Sequence, residues 1–408
     1  MVDRRGAIAA ERTLQRPNST TVGMAVLTVL AVLFVTPSLY AQQTTFTFGG
    51  YVKFDALHSK YYDGDVEPDS PLRDIHFPAA IPVGSSNNHF VDLDYHAKES
   101  RFNLATLTQL PNGQSVRAFV ELDFLLAGQG DERVSNSFNP RLRHFYFTYT
   151  NWLFGQTWST FMILDPIVDD LDFGGTADGF IFNRQPQIRF TSGGVQLAFE
   201  NPEITLDDGT GTRITTEAAA LPDMVARYNF RGGWGSLSVA AMGRQLKHEF
   251  DNAGTLEANN AFGFAGTVGG RINVGRDDIR FQASAGAGLG RYAAFNFANA
   301  AIVDAQQQVT ATHSYLGFVG YRHLWSDVIR SNINVSGIHV DNKDNPMPTV
   351  NKRAYSGSIN VIWAPVAGME FGVEFMRAYR ELENGTRGKF DRMQFSAKYA
   401  FSFSASTD

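Results

Sequence analysis

The stretch TFTFGGYVKFDA at residues 45–56 places apolar side chains at every second position. Phe48, Val52 and Phe54 fall on one face of an extended chain, and Lys53 falls on the other. A period of two is that of a β-strand with one apolar and one polar face. Strands of soluble sheets average about five or six residues, whereas a tilted strand that crosses a bilayer needs roughly ten. The stretch therefore predicts a transmembrane β-strand.

The same alternation recurs along the rest of the chain, for example in SVRAFVELDFLLAG (115–128) and RMQFSAKYAFSF (392–403). No helical period competes with it after residue 44. We predict sixteen strands, near residues 45–57, 96–108, 115–127, 140–150, 152–161, 184–192, 194–202, 221–230, 235–249, 260–273, 278–293, 308–324, 328–341, 350–364, 368–382 and 388–403.

The predicted strands are joined by connections that alternate between short and long. The short ones are rich in Gly, Asn, Asp and Pro, which suit hairpins; they lie at 110–114, 150–151, 192–194, 231–235, 274–278, 325–327 and 365–368. The long ones lie at 58–95, 128–139, 162–183, 203–220, 250–259, 294–307, 342–349 and 383–387. Short periplasmic turns and longer extracellular loops are typical of outer-membrane barrels. The fold class that we predict is all-β: a transmembrane antiparallel β-barrel of sixteen strands.

Composition agrees with this class and excludes several others. Among 408 residues the mean hydropathy is −0.19, and no apolar run of helix length follows the N-terminus, which excludes a membrane protein built from several helices. The chain contains no cysteine, so disulfides, thiolate metal sites and cysteine nucleophiles are excluded.

The N-terminus has the layout of a secretory signal. Arg4, Arg5 and further arginines precede the apolar run at 25–35, and cleavage after Ala41 is plausible. The alternative is a membrane anchor, for which the run is short. We predict a signal peptide at 1–41 and a barrel at 42–408. Removing four basic and two acidic residues changes the net charge from −6 to −6 − 4 + 2 = −8.

The third long connection contains the acidic stretch ILDPIVDDLDFGGTADGF at 163–180. Its candidate site residues are five aspartates around a Phe-Gly-Gly turn: Asp165, Asp169, Asp170, Asp172, Phe173, Gly174, Gly175 and Asp178. A calcium site, a catalytic carboxylate pair and a charged gate would all use such residues. The stretch lacks the alternating acidic spacing of a packed calcium loop, and sequence cannot give the separation that paired catalytic acids need.

Strand alternation also assigns charged side chains to the inner wall, because a charge that faces lipid at mid-depth costs about 2–4 kcal/mol. The predicted wall residues are Lys53, Arg101, Arg117, Glu121, Asp123, Arg189, Arg227, Arg244, Arg280, Arg330 and Arg392. Some of them could instead be paired within the wall. Arg141, Arg143 and Arg377 fall in phase with apolar residues, which a β-bulge or a subunit contact would explain.

Two other function classes remain open at this point. A barrel hydrolase needs a nucleophile or activated water and an oriented histidine; the nine histidines are scattered, and none lies in a recognisable serine motif. A structural or adhesive barrel would carry large sticky loops. The first loop, 58–95, is long and rich in Pro, Asp and Asn, but a loop that clasps a neighbouring subunit would have the same composition.

Several segments, in order along the chain, resemble the DcaP-like trimeric porins of Gram-negative bacteria. They are GGYVKFDAL, LRHFYFTYTNWLFGQTWSTF, GLGRYAAF, YRHLWSDVIRSNINVS and SGSINVIWAPVAGMEFGVEFMRAYRE, and the resemblance runs from about residue 44 to 403. It implies a sixteen-stranded trimeric barrel that takes up small, often anionic or carboxylate-bearing solutes. In trimeric porins the third loop folds inward, and DLDFGGTADG resembles the PEFGG stretch of that loop in general porins.

The sequence therefore predicts a porin in the outer membrane of a Gram-negative bacterium, with outer-membrane lipids and small hydrophilic solutes as partners. We expect a homotrimer that is not an enzyme, with no cofactor, no metal and no nucleic-acid partner. The connection at 162–183 is expected to set the narrowest point, with Asp169, Asp170 and Asp172 facing the channel. An arginine-rich wall opposite an acidic loop would create a transverse field and favour carboxylates.

Overall fold

The computed structural model describes residues 43–84, 89–126, 130–131, 136–216, 218–342, 344–345 and 347–407. This part of the chain forms a barrel of sixteen antiparallel strands, the second of which is interrupted at residues 97–100, so that both of its segments pair with β1. The strands are β1 Thr44–Tyr61, β2 Phe90–His96 and Arg101–Gln109, β3 Ser115–Asp123, β4 Arg141–Tyr149, β5 Trp152–Trp158, β6 Arg184–Ser192, β7 Val195–Glu200, β8 Asp223–Gly232, β9 Gly235–Asn252, β10 Thr255–Val274, β11 Asp277–Ala287, β12 His313–Leu324, β13 Ile329–Asp341, β14 Asn351–Trp363, β15 Met369–Leu382 and β16 Arg387–Ser406.

Pairing of the last strand with the first closes the barrel. The register runs from Thr45 opposite Ser406 to Tyr61 opposite Phe390. Each of the sixteen predicted strands corresponds to one strand of the structure, and the predicted fold class is confirmed. The predicted signal peptide, 1–41, lies outside the described residues.

The two faces of the strands differ as a membrane barrel requires. On β14 the side chains of Tyr355, Ile359 and Trp363 point outward and are 47–52% exposed, whereas Ser358 and Asn360 point inward and are 2–6% exposed. The outer surface is thus apolar and the interior is polar, because the outside meets lipid and the inside meets water or other polar groups.

Two of the predicted long connections are wrong. Residues 250–259 form the ends of β9 and β10, joined by the two-residue turn Ala253-Gly254, in which both residues have positive φ (51° and 86°). Positive φ at both central residues suits a two-residue hairpin. The connection at 383–387 is also tight, because Leu382 N–H donates to Thr386 O at 2.9 Å.

A β-bulge explains the phase of the arginines on β4. Glu121 pairs with His144 and Leu122 pairs with Leu142, so Arg143 is the extra residue. The bulge turns Arg143 inward, where it is 1% exposed. Arg377 on β15, by contrast, stays in regular register and faces outward, opposite Asp391.

The longer connections carry small elements of their own. Residues Pro71–Asp74 form the short helix α1, and 3₁₀ turns occur at Pro78–Ala80, Ala177–Gly179 and Gly290–Tyr292. Short strands pair at Gly130–Asp131 with Ser137–Phe138, and a four-stranded sheet joins Ile204–Asp207, Arg213–Thr216, Ala301–Val303 and Val309–Ala311. None of the helices in the described residues is long and apolar enough to span a membrane.

Candidate functional site

The connection at residues 162–183 begins at β5 and ends at β6, but its polar contacts lie on strands from the far side of the barrel. The backbone N–H groups of Leu171 and Asp172 donate to the Glu374 carboxylate on β15 at 2.8 and 3.1 Å. Lys53 Nζ on β1 donates to Leu171 O at 2.7 Å. Since several strands separate β15 and β1 from β5 and β6, the segment reaches these partners through the barrel interior.

Asp169 contacts three arginines on three successive strands. Its carboxylate oxygens lie 3.2 Å from Arg280 Nη1, 3.3 Å from Arg322 Nη1 and 3.4 Å from Arg330 Nε. Burial alone would raise the pKa of Asp169, but the three guanidinium groups hold that pKa below its usual range. Asp169 is therefore an ionised partner of the wall formed by β11, β12 and β13.

Asp172 fastens the segment rather than facing open water. It is 3% exposed, accepts a hydrogen bond from Arg392 Nη1 at 2.8 Å, and accepts one from the His76 backbone N–H at 2.8 Å. The same carboxylate accepts the N–H of Gly174 at 2.7 Å. Burial would raise the pKa of Asp172, but Arg392 and the His76 N–H lower it on balance. The expectation that Asp172 faces the channel is corrected by this enclosure.

The remaining aspartates of the segment also have partners. Asp170 accepts hydrogen bonds from Asn334 Nδ2 at 2.6 Å and Ser358 Oγ at 3.0 Å. Desolvation and the nearby carboxylate of Glu374 raise the pKa of Asp170 well above its usual range. The Asp178 carboxylate lies 2.9 Å from His76 Nε2 and accepts a hydrogen bond from Ser336 Oγ at 3.2 Å. The Asp165 carboxylate accepts one from Ser236 Oγ.

The Phe-Gly-Gly turn makes the close approach possible. A Cβ on Gly174 would lie 2.3 Å from the carbonyl oxygen of His76, so only glycine fits there. Gly175 has a φ of +47°, which glycine adopts without strain. Phe173 packs edge-on against Phe182, with ring centroids 5.8 Å apart, and this contact holds the turn against the interior surface.

The first connection contributes residues that sequence reasoning missed. Leu72, Ile75 and His76 are 0–1% exposed, because this connection packs within its own barrel. Arg392 donates to Leu72 O as well as to Asp172, and so it joins the first and third connections to β16. The signal in the sequence was the spacing of apolar residues in an otherwise polar loop, since such residues require burial.

Eight of the eleven predicted wall residues are held in ion pairs. The pairs are Lys53 with Asp55 and Glu99, Arg101 with Glu99 and Glu121, Glu121 with Arg143, Asp123 with Arg141 and Arg143, Arg244 with Asp223, Arg280 with Asp169 and Asp278, Arg330 with Asp169 and Glu370, and Arg392 with Asp172.

Three of these eight do not line open space, which corrects their assignment to the channel wall. Asp123, Arg244 and Arg392 are 0–2% exposed. Arg244 donates to Asp223 and to backbone carbonyl groups, including Gly288 O at 3.0 Å, so its role in the structure is to hold connections together.

The other three predicted wall residues have no carboxylate within 4.0 Å in the described part of the chain. Arg189 lies on β6, Arg227 on β8 and Arg117 on β3, each in the inward phase of its strand. Arg271 on β10 shares this property, although the sequence analysis did not select it. The sequence could have shown that Arg271 faces inward, because it occupies the same alternate positions as Ala265 and the other small inward residues of β10.

These four arginines form one group by position, which we call the unpaired arginines: Arg117, Arg189, Arg227 and Arg271. All lie within about five residues of the short-turn ends of β3, β6, β8 and β10. Arg271 is directly opposite Arg280 in the register, so the group extends to the level of the Asp169 contacts. The unpaired arginines thus lie near the short-turn ends of their strands, and ion pairs occur on β3, β4, β8 and β9 beside them.

Comparison with known proteins gives the following. The sequence profile of the DcaP outer membrane protein family matches residues 35–401. No curated protein matches. Among solved structures, the outer membrane channel DcaP of Acinetobacter baumannii superposes with a TM-score of 0.70 at 22% identity, over 88% of this chain and 97% of that chain. OmpT, an outer membrane protein of Vibrio cholerae solved in a trimer form, gives a TM-score of 0.52 at 10% identity, over 88% and 99%.

The structural matches show the fold, and the profile match extends over nearly the whole chain. A closed sixteen-stranded barrel with an apolar outer surface agrees with both. The chain belongs to the DcaP outer membrane protein family.

Proposed function

We propose that this outer-membrane channel is a water-filled diffusion pore for small hydrophilic solutes, that it favours anions and carboxylates in particular, and that residues 162–183 set its narrowest part. The observation that carries the proposal is the set of inward arginines that have no carboxylate partner in the described part of the chain. The aspartates of the segment are occupied by wall partners, whereas Arg189, Arg227 and Arg271 have no carboxylate within 4.0 Å among the described residues.

The field that a solute meets depends on the charges that are left unpaired. Asp169 and Asp172 are neutralised by arginines at 2.8–3.4 Å, so they contribute little net negative potential. The unpaired arginines retain full positive charge, and the low-dielectric wall of a barrel strengthens their field. A narrow passage with such an imbalance favours anions.

Arginine also suits carboxylates for a geometric reason. A guanidinium group can donate two parallel hydrogen bonds to one carboxylate, which a spherical anion such as chloride cannot match. Transport requires that the contact remain weak enough for release, and several separated arginines allow a solute to pass from one to the next.

Swelling of liposomes that contain the purified protein tests this preference. Isotonic solutions of a dicarboxylate and of a diamine of similar size are compared, each as a salt whose counterion crosses the lipid bilayer independently of the channel: potassium with valinomycin for the dicarboxylate, and thiocyanate for the diamine. The proposal predicts faster swelling with the dicarboxylate. Equal rates, or faster entry of the diamine, would overturn the anion preference and leave the channel function intact.

We also propose that the protein is a homotrimer, as the resemblance to trimeric porins implies. The trimer form solved for the Vibrio cholerae protein supports this state for a barrel of similar fold. Cross-linking in native membranes should give a trimer band. A monomer under these conditions and in mild detergent would contradict the proposal.

Removal of residues 1–41 as a signal peptide remains a prediction of the sequence. The mass of the protein purified from outer membranes tests it directly, and cleavage after Ala41 should leave a mature chain that begins at Gln42. A chain that retains the apolar run at 25–35 would indicate an anchor instead.

A further inference from the structure

A group of cations lies on the membrane-facing surface at the end of the barrel that is opposite the chain termini. In porins this end carries the extracellular loops. The cations are Lys60 on β1, Arg353 on β14, Arg377 on β15, and Arg387 and Lys389 on β16. These four strands are adjacent in the sheet, and the five residues fall on the outward phase of their strands.

Aromatic side chains fix the height of this group relative to the membrane. Tyr355 and Tyr379 are outward and stacked, with ring centroids 4.8 Å apart. Tyr62 follows β1 at the same end of the barrel, where its backbone N–H donates to the carbonyl oxygen of Lys389, the residue paired with Tyr379. Outward tyrosines mark the boundary between hydrocarbon and headgroups. Toward the centre of the membrane the outward positions become apolar, as at Phe375 and Met393. The cations therefore lie at headgroup height.

Three of the five cations are already paired. Arg353 and Arg387 both contact Glu381, and Arg377 forms two hydrogen bonds to Asp391, each at 2.6 Å. The charges of these three arginines are therefore already offset by carboxylates of the protein.

The two lysines are not paired in this way. In the described residues no carboxylate lies within 4.0 Å of Lys60 Nζ or Lys389 Nζ. The two ammonium groups are 4.7 and 4.5 Å from the centroid of the Tyr62 ring. A third acid at the patch is Asp63, whose carboxylate accepts the Lys389 backbone N–H at 3.0 Å. With five cations against Glu381, Asp391 and Asp63, the patch has a net charge of 5 − 3 = +2.

The ring of Tyr62 holds two like charges near each other. The Tyr62 hydroxyl donates to Asp391 at 2.9 Å, which fixes the ring beside both lysines. Each ammonium gains a cation–π contact, but the two repel one another, and an anion between them would remove that repulsion. At headgroup height the anion with this chemistry is the phosphate of a lipid.

We propose that Lys60, Lys389 and Tyr62 form a binding site for a phosphate group of a phosphorylated lipid in the outer leaflet. The apolar surface below, which includes Phe375 and Met393, would contact the acyl chains of the same lipid. This site is on the outside of the barrel, so it is independent of the solute preference of the channel.

The proposal can be tested on the purified protein in mild detergent. The midpoint of thermal unfolding is measured against added lipid A, and separately against lipid A from which the phosphates have been removed. We expect the phosphorylated lipid to raise the midpoint and the dephosphorylated lipid to have a much smaller effect. The K60Q/K389Q variant should need about tenfold or more lipid for the same rise.

Two matched variants separate this site from general charge effects. R231Q/R276Q removes two cations from the short-turn end and should keep the response of the parent protein. K60R/K389R keeps the charges and should restore most of it. Unchanged conductance of K60Q/K389Q would show that the barrel remains folded.

Other occupants of the surface give different outcomes. If inorganic phosphate at the same concentration raised the midpoint equally, the lipid assignment would be overturned. If K60Q/K389Q changed the oligomeric size in detergent and left the lipid response unchanged, the surface would be an interface between copies of the chain. An equal response of K60Q/K389Q and the parent protein to lipid would also refute the site.

Discussion

Arg392 joins three parts of the molecule through one buried side chain. It donates to Ser59 on β1 at 3.0 Å, to Asp172 in the third connection at 2.8 Å, and to the backbone of Leu72 in the first connection. At 1% exposure it has no access to bulk water. Removing it leaves the carboxylate of Asp172 buried and unpaired, which is the costly way to break a buried pair.

We therefore predict that R392M lowers the free energy of unfolding by about 3–5 kcal/mol. Urea unfolding of the barrel in lipid vesicles measures the change. The double variant R392M/D172N should lose less than the sum of the two single variants, because it no longer buries an unpaired charge.

The matched control is R276M, which removes an arginine whose pair with Asp327 is exposed, with side-chain exposures of 62% and 92%. Exposed pairs contribute at most about 1 kcal/mol. If R392M and R276M had equal effects, Arg392 would not be the anchor described here.

Asp170 should respond to pH in the opposite sense from its neighbour Asp172. Desolvation and Glu374 raise the pKa of Asp170 well above its usual value, so folding binds a proton there and stability falls as pH rises through that pKa. D170N removes this dependence. We predict that D170N is at least as stable as the parent at pH 7.5 and that the difference shrinks below pH 4.

The check is the midpoint of unfolding of D170N, D172N and the parent protein, each measured at pH 7.5 and below pH 4. Asp172 has a lowered pKa, so its stabilisation is present at neutral pH and is lost only in acid. D172N should therefore be destabilised at pH 7.5. A similar loss for D170N would mean that Asp170 acts as an ionised partner.

Individual charges were only partly predictable from the sequence. Strand phase selected Arg189 and Arg227 correctly as inward residues, because one side of each strand must meet lipid. Phase could not show that Asp172 and Arg392 neutralise each other, since they are 220 residues apart in sequence. Arg143 was ambiguous because a bulge shifts its phase, and nothing in the local pattern marks the bulge.

At the scale of one element, the segment 162–183 is anchored at its middle, residues 169–172. Leu171 and Asp172 are held by Glu374 and Arg392, and Asp169 by three arginines. Its contacts are with the inner faces of β8, β9, β11 to β16 and β1, so the segment occupies cross-section that would otherwise be water.

Replacing residues 168–175 by two glycines should raise single-channel conductance and increase anion selectivity while the barrel stays folded. The replacement removes Asp169, the carboxylate that Arg280, Arg322 and Arg330 share, while Asp278 and Glu370 remain, so the positive field of these three arginines increases. Planar bilayer recordings and heat-modifiable mobility in gels measure the two effects. Unchanged conductance, together with cleavage of this segment by protease on intact cells, would place it outside the channel.

Element boundaries were predicted well wherever lipid imposes the alternation. They were wrong where strands extend beyond the membrane. Residues 250–259 look like a polar loop, yet β9 and β10 continue to the Ala253-Gly254 turn. Both faces of the strands are in water there, so polar and apolar residues no longer alternate and the sequence pattern does not indicate a strand. The inward packing of the first connection was missed for a related reason, as its composition resembles that of an exposed loop.

At the scale of the whole molecule, net charge is a poor guide to selectivity. The chain carries −6 overall, but among the described residues Asp169 and Asp172 lie against arginines, whereas Arg189, Arg227 and Arg271 have no carboxylate within 4.0 Å. Sixteen strands give an interior that side chains alone do not fill, and the segment 162–183 with the first connection fills part of it. Permeation then depends on the charges that remain beside the open cross-section.

The reversal potential of a single purified protein in a planar bilayer, under a salt gradient, tests the anion preference most directly. The account predicts a potential of the sign for anion selectivity, a current that dicarboxylates block, and a shift toward cations in R189Q/R271Q. The control R353Q/R387Q, which removes two cations from the outer surface, should keep the parent value. Clear cation selectivity without dicarboxylate block, or an equal shift in both variants, would contradict the account.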